Sequence, residues 1–595
     1  MHAPALPPLL RRWPQGWDSI ALAALLVAVA ALLLAMRRQG MTGDEPRYLL
    51  YATSLIRHGT FTMPLEEWSP IHRALNGVPA AELPPSLNGG GPNGGTGPSH
   101  PVYIPALLSP FTLLTPQAPR LTTLAVGLAG LVAVHRLCRL AAGPRPAILA
   151  VAVAALTMPL MPYLHLFYME AWIFSLTALA WWRLHTRPGL LAAALIAAIP
   201  LAHMRGSVVA ATLYAFLLWP LLRAGNWRRL ATLLIPGLIG LALLVALNLA
   251  IYGALTGPVN TARPPLPWAW AEVLPMQLFN VRHGLLAYAP IWILGAAALA
   301  AGAIRGAPLA RQGLILLAVA AVTGVGVNPG EGWPGRFWVL SMPMLTLGLA
   351  HWIGKEKGIA MRLPGALLLL LTLLNTVLFF AGPNNFLDNR QSTVSYGVLF
   401  DGGVPFHLGL LLPVELNEAD QRAMVARLLL GFAALFLLGV AAWLRPGWRL
   451  ALPMALLILG GAELARVTNL PRTAYALETG NGAARIAFPT PQPLVALQIG
   501  DPRQMWHYDT DNRLDLQVTH PDGSVTRLAH LQARQLLHLR CLGSIAAVTV
   551  TSSTGLDMAA QAEYRLRLYR PASMLERLAT RHRIGCGDHP KRNSP

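Results

Sequence analysis

Apolar residues in this chain come in long blocks. The first, "SIALAALLVAVAALLLAM" at residues 19–36, contains no charge. As a helix it would span about 27 Å at 1.5 Å per residue, close to the ~30 Å hydrocarbon core of a bilayer. Comparable blocks fall near residues 120–139, 147–164, 170–183, 189–203, 206–222, 230–252, 285–304, 311–327, 336–353, 364–381, 426–444 and 450–466. The pattern predicts an all-α polytopic membrane protein with roughly thirteen transmembrane helices. Arg11 and Arg12 precede the first block, Arg37 and Arg38 follow it, and no small-residue cleavage site is present, so an uncleaved anchor is expected.

From residue 493 the pattern changes. "PLVALQIGD", "RLDLQVTHPDGSVTRLAHL", "IAAVTVTSST" and "EYRLRLYRP" alternate apolar and polar positions, with a turn signal at Asp522-Gly523. These are strand and hairpin signals. The chain therefore divides into a membrane domain over residues 1–466 and a small β-rich domain over residues 467–590, with carbohydrate binding as one possible role for the latter.

Composition agrees with the pattern. Residues are 54% hydrophobic and only 12% charged, too little polar surface to cover a soluble globule of this length. The formal net charge is +20, but no nucleic-acid-binding motif accompanies it, and its distribution points instead to orientation in a membrane. With the N-terminus cytoplasmic, the short loops of one parity hold Arg136, Arg139 and Arg145; Arg183 and Arg187; Arg223, Arg228 and Arg229; Arg305 and Arg311; Lys355, Lys357 and Arg362; and Arg445 and Arg449. That is the positive-inside bias. Arg37, Arg38, Arg120 and Arg427 fall on the other face. The outer face then receives a long first loop at about residues 37–119, loops near 254–284 and 383–425, and the C-terminal domain. Cys138, Cys541 and Cys586 are too few for a disulfide framework and read as unpaired thiols, with a Cys541–Cys586 bridge the one pairing that an oxidising compartment would permit.

Ionisable residues collect on that outer face. Asp44 and Glu45 open "DEPRYLLYATSLIRHG", where Pro46 and the apolar spacing predict a short interfacial helix ending at Gly59. The two acids could simply complement the dipole of that helix. They have company, however: Glu170 in "FYMEAW", His203 and Arg205 in "PLAHMRG", Arg282 and His283 in "FNVRHGLLAYAP", and Glu331 and Arg336 in "NPGEGWPGRFW". Charges at membrane depth are expensive and mark function or pair with each other. Acids and arginines together describe a site that holds an anionic group and activates a hydroxyl. The Gly-rich stretch at residues 88–100 lacks a following Lys-Ser/Thr and is expected to be a loop segment rather than a phosphate cradle, while Trp268 and Trp270 read as an interfacial belt.

On these motifs, over roughly residues 18–350, the chain resembles the GT-C superfamily of polytopic glycosyltransferases, in particular lipid A aminoarabinose transferases and protein O-mannosyltransferases. The resemblance implies transfer of a sugar from a polyprenyl-phosphate carrier to a glycan, lipid or protein acceptor, with inversion, at the outer face of a bacterial cytoplasmic membrane. It implies Asp44 as general base, with Glu45 and Glu170 orienting Asp44 or the acceptor, or sharing a divalent metal with Asp44. Arg205 and Arg336 would hold the departing phosphate, assisted by Arg282 and His283, and His203, Glu331 and Tyr288 would line the substrate site. Two departures stand out: Glu170 where many relatives carry Asp, and Arg205-Gly206 where Lys-Gly is expected. Competing functions are a translocase that carries a lipid-linked saccharide without chemistry, and a ligase or polymerase that moves a whole oligosaccharide.

Overall fold

The structure is a computed structural model that describes residues 16–35, 41, 44–76, 79–80, 83, 98, 100–255, 257, 274, 277–278, 284–324, 335–355, 359–381, 467–469, 474–480, 483–494, 496–498, 513–532, 536–539, 542–552 and 567–571. Outside these residues lie the expected spans at 426–444 and 450–466, the loop at 383–425, Arg282, His283, Glu331, Trp268, Trp270, Cys541, Cys586 and most of the Gly-rich stretch. Cys138 is a buried free thiol.

Helices dominate the N-terminal part: α1 (Trp17–Ala35), α2 (Glu45–His58), α3 (Leu65–Asn76), α4 (Tyr103–Leu108), α5 (Ala118–Ala142), α6 (Pro144–Leu156), α7 (Leu160–Tyr163) and α8 (Met169–Thr186). They continue as α9 (Leu190–Ala202), α10 (Ser207–Arg223), α11 (Trp227–Tyr252), α12 (Leu285–Tyr288), α13 (Trp292–Ile304), α14 (Pro308–Gly324), α15 (Met342–Lys355) and α16 (Ile359–Ala381). Among the described residues, five helical stretches are long and apolar enough to cross a membrane: Trp17–Ala35, Ala118–Ala142, Met204–Arg223, Trp227–Tyr252 and Arg336–Gly354. The protein is an integral membrane protein. Two expected spans are interrupted. The block at 147–164 is α6 followed by the separate turn α7, and that at 285–304 is α12 and then α13, broken at Pro290.

Packing follows the medium. On α1 a narrow stripe of Leu22, Val29 and Leu33 is buried, while Ile20, Val27, Leu32 and Leu34 are exposed. On α11, Ile235, Leu238, Ile239 and Leu241 are likewise exposed. Such faces suit lipid, where backbone polar groups must be satisfied within the helix and side chains may be apolar all round. The inner helices α13 and α15 touch through Gly295 and Gly348, where a Cβ at Gly348 would meet the Gly295 carbonyl. Small residues at such a crossing let two backbones approach.

Polar contacts join helix ends at each end of the bundle. Arg139, at the end of α5, bonds Asp18, at the start of α1, at 2.7 Å. At the end of α8, Trp181 and His185 both contact the Gln312 amide oxygen of α14, at 3.1 and 2.7 Å. The charged cluster described below gathers the opposite ends of α5 and α8.

The C-terminal part is a small antiparallel β structure of β1 (Val467–Asn469), β2 (Ala476–Gly480), β3 (Ala483–Pro493), β4 (Ala496–Gln498), β5 (Arg513–Thr519), β6 (Val525–Gln532), β7 (Leu536–His538), β8 (Ser544–Ser552) and β9 (Arg567–Pro571). One sheet runs β2-β3-β8-β5-β6 and the other β1-β9-β4-β7. Alternating Leu516, Val518, Val548 and Val550 build its core. The β5–β6 hairpin turns at Asp522-Gly523 as expected, with the His520 N–H donating to the Ser524 carbonyl at 2.8 Å. Strand β3 precedes the expected start of alternation, and its register on β8 shifts between Ala487 and Gln492, across Pro489 and Pro491. Proline removes the ladder donor there and obscures the strand signal.

Candidate active site

Asp44 immediately precedes α2, with Pro46 in the first turn and Gly59 closing the helix, as the sequence predicts. It occupies the N-cap position yet makes no side-chain cap hydrogen bond. Both carboxylate oxygens go elsewhere. Oδ2 accepts from Arg336 Nη1 at 2.6 Å, Oδ1 accepts from Arg47 Nη1 at 2.9 Å, and His100 Nε2 lies 3.3 Å from Oδ1. Its backbone N–H donates to the Tyr168 hydroxyl at 2.9 Å. A simple helix cap is therefore the wrong account of Asp44. Nor does α2 lie loose along an interface: Tyr48, Leu49, Leu50 and Tyr51 are buried.

Glu170 stands in the first turn of α8 and is fully buried. Its Oε1 accepts from Arg205 Nη2 and from Arg336 Nε, both at 2.7 Å. Arg205 comes from the 3-10 turn Met204–Gly206 between α9 and α10, and Arg336 from the 3-10 turn Arg336–Ser341 that leads into α15. Gly335 makes the second placement possible: its φ is +72°, and a Cβ there would lie 2.7 Å from the Pro159 ring. Each guanidinium also stacks on an aromatic face, Arg205 on Phe337 at 4.4 Å and Arg336 on Tyr168 at 4.9 Å. Two buried atoms of this group, Glu170 Oε2 and Arg205 Nε, have no hydrogen-bond partner among the described residues.

Electrostatics follow from this geometry. Burial works to raise the Asp44 carboxyl, but Arg336, His100 and Arg47 outweigh it and hold the group far below the usual carboxylate range. His203 caps the turn and accepts the Arg205 backbone N–H at Nδ1, 3.1 Å away. Burial first, and then the charges of Arg205 and Arg336, push its imidazole well below the ordinary range, so it stays neutral.

Glu45 does not join Asp44, contrary to the sequence expectation. It turns the other way and forms a bidentate pair with Arg120 of α5, Nε to Oε1 and Nη2 to Oε2 at 2.6 Å each. Its Oε1 also accepts the Phe167 N–H at 2.9 Å. Glu45 is 1% exposed and its role is to lock α2 against α5 and the segment before α8. A shared divalent metal does not fit either. The Arg336 guanidinium already bridges Asp44 and Glu170, so a cation placed between those carboxylates would meet its positive charge. Tyr288 is buried in α12, where its carbonyl accepts from Asn375 of α16 at 3.2 Å.

Four residues of the cluster were not read as site residues from the sequence: Arg47, His100, Arg120 and Tyr168. Arg47 stands three residues from Asp44, an i,i+3 relation visible in the sequence. Arg120 was visible as a basic residue on the wrong face of the charge bias; its buried partner Glu45 explains that placement. His100 and Tyr168 carried no such signal.

No family model matches the chain, and no curated protein matches it. Among solved structures, the chain is similar to the crystal structure of ArnT from Cupriavidus metallidurans in the apo state. The two share 17% identity and a TM-score of 0.39 over 75% of this chain and 78% of that one, a similarity too low to assign an activity.

Proposed function

We propose that the protein is a glycosyltransferase that moves a sugar from a polyprenyl-phosphate carrier to an acceptor hydroxyl at the outer face of the bacterial cytoplasmic membrane, with inversion. The observation that carries this reading is the unbroken chain Arg205–Glu170–Arg336–Asp44 at one end of the helical bundle. Around it, three carboxylates (Asp44, Glu45 and Glu170) face four guanidinium groups (Arg47, Arg120, Arg205 and Arg336). Among the described residues the guanidinium groups outnumber the carboxylates, which suits an anionic phosphodiester.

The chemistry uses that excess. As the bond between the anomeric carbon and the phosphate oxygen breaks, the phosphate moves from one negative charge towards two. Guanidinium groups already oriented by Glu170 stabilise the developing charge without reorganising. Arg205 has a buried Nε–H without a partner among the described residues, so it has a donor to offer the phosphate. Asp44, held beside Arg336, is the carboxylate that this reading assigns to the acceptor hydroxyl as general base. A translocase would use the same arginines but would have no need of a carboxylate so tightly positioned.

The test is mass spectrometry of polyprenyl-linked lipids from cells expressing wild type, Asp44→Asn or Arg205→Ala. Accumulation of one sugar-loaded carrier in both variants is the expected result and names the donor. Identical carrier profiles in all three strains would remove the transferase assignment.

A further inference from the structure

The stretch between Pro101 and Arg120 in the first outer loop carries no charged residue. It folds as α4, the 3-10 turn Ser109–Leu113 and the approach to α5. One side of it packs inward: Ile104, Pro105 and Leu108 are buried, and the segment rests on α2. The other side holds Leu107, Phe111, Leu113 and Leu114, exposed by 60, 43, 63 and 77%. Large apolar side chains crowded together in this way differ from the single exposed leucines of an ordinary wet surface. The polar groups among them are satisfied or removed within the segment. Ser109 Oγ donates to the Ala106 carbonyl at 2.8 Å, and Thr112 Oγ1 to the Ser109 carbonyl at 2.6 Å. Pro105, Pro110 and Pro119 stand in the first turns of α4, the 3-10 turn and α5, where a backbone N–H would otherwise lack a helical partner. Water would satisfy such donors; hydrocarbon does not.

We propose that residues 106–117 are seated among the acyl chains of the outer leaflet, as an interfacial anchor beside the Asp44 site. Continuity with the span α5 identifies the occupant. Leu121, Ala125 and Ala129 form an exposed apolar stripe on that helix, and Leu113 and Leu114 come just before it in the chain. At 1.5 Å per residue, Leu121 stands about 27 Å along α5 from Arg139, the residue that meets Asp18 at the other end. That length falls within the ~30 Å hydrocarbon core, so the chain is at the outer boundary of the bilayer where α5 begins. An uncharged face rich in leucine and phenylalanine at that depth meets lipid tails, as the amphipathic elements of interfacial proteins do. The inward side of the anchor packs on α2, and α2 starts at the residue after Asp44. The anchor therefore holds the charged site at the level of the headgroups, the depth at which a phosphate on a lipid tail is carried. This role is one of placement and does not depend on sugar transfer.

The experiment uses full-length protein in nanodiscs of phosphatidylethanolamine and phosphatidylglycerol, with Cys541→Ser and Cys586→Ser so that the buried Cys138 is the background thiol. A nitroxide is attached at Leu113→Cys, at Leu238→Cys on the exposed face of α11, and at Thr60→Cys in the exposed turn after α2. Electron paramagnetic resonance then reads collisions with oxygen, which concentrates in lipid, and with a water-soluble nickel chelate. The oxygen-to-nickel ratio at Leu113→Cys should match that at Leu238→Cys and exceed that at Thr60→Cys several-fold. Leu113 is exposed, so the label displaces no packed side chain. A ratio at Leu113→Cys equal to that at Thr60→Cys would overturn the proposal. So would infrequent collisions with both reagents, which would mean that protein covers the patch, and spin–spin broadening lost on dilution with unlabelled protein would name that cover as a second copy of this chain. None of these signals needs turnover, so the anchor and the transferase reading stand or fall separately.

Discussion

Arg336 joins Asp44 to Glu170: its Nη1 lies 2.6 Å from Asp44 Oδ2 and its Nε 2.7 Å from Glu170 Oε1. A single planar cation therefore ties the residue before α2 to the first turn of α8. A lysine carries one point of charge and cannot reproduce the fork. Arg336→Lys should lower transfer by at least about 10²-fold while the protein still inserts, as measured by product formation at matched protein levels. Arg336→Ala takes one cation from each of two buried carboxylates, leaving Arg47 on Asp44 and Arg205 on Glu170, and should also cost about 1.5–3 kcal/mol, read as a lowered Tm in detergent. Wild-type transfer in Arg336→Lys would show that the bridge is not used.

Glu45 and Arg120 should behave as a structural pair. Glu45→Gln and Arg120→Gln each leave one buried charge facing a neutral amide and should each destabilise by about 3–5 kcal/mol, with the double variant less affected than the sum of the two. Thermal melts of the four proteins give this cycle directly. If Glu45→Gln keeps its Tm and loses transfer, Glu45 takes part in the chemistry instead.

The pH behaviour of the site has a definite sign. The Asp44 pKa is lowered in the folded protein, so its stabilising contribution is complete above the ordinary carboxylate range and is lost only as pH falls towards a folded value far below that range. The stability difference between wild type and Asp44→Asn should therefore stay flat from about pH 8 to pH 5 and shrink below about pH 4. His203 is also lowered, so wild type should lose stability as pH falls below the ordinary histidine range, because the unfolded chain takes up the proton first. His203→Gln should flatten that loss. A steeper acid loss in His203→Gln than in wild type would contradict a neutral His203.

The close crossing of α13 and α15 should tolerate no side chain. A Cβ at Gly348 meets backbone of Gly295 rather than a flexible side chain, so the helices themselves must move apart. Gly348→Ala should cost about 1–3 kcal/mol and Gly348→Leu should prevent accumulation of folded protein, both read by fluorescence size-exclusion profiles. An unchanged profile for Gly348→Leu would mean the two helices do not approach this closely.

Orientation in the membrane is testable with exposed positions on either side. Thr60→Cys, after α2, and Asn226→Cys, before α11, should react with an impermeant maleimide from opposite faces, Thr60→Cys from outside. Labelling of both from one face would break the link between charge bias and the site.

The sequence by itself determined that the chain enters a membrane, where most of the described helices begin and end, and where the Asp522-Gly523 hairpin turns. Each of these rests on short-range information: apolar run length, basic residues at run ends, or two residues at a turn. It also placed Asp44, Glu170, Arg205 and Arg336 on one face. It did not reveal that Glu45 turns from its neighbour Asp44 to Arg120, 75 residues away, or that Arg336 reaches Glu170 across 166 residues. No periodicity encodes those pairings. Adjacent residues at a helix start point in different directions, and only the packing of α2 against α5 and α8 decides which buried cation each acid meets. Burial then enforces the choice, since a carboxylate removed from water must find a partner within hydrogen-bond reach or lose its charge.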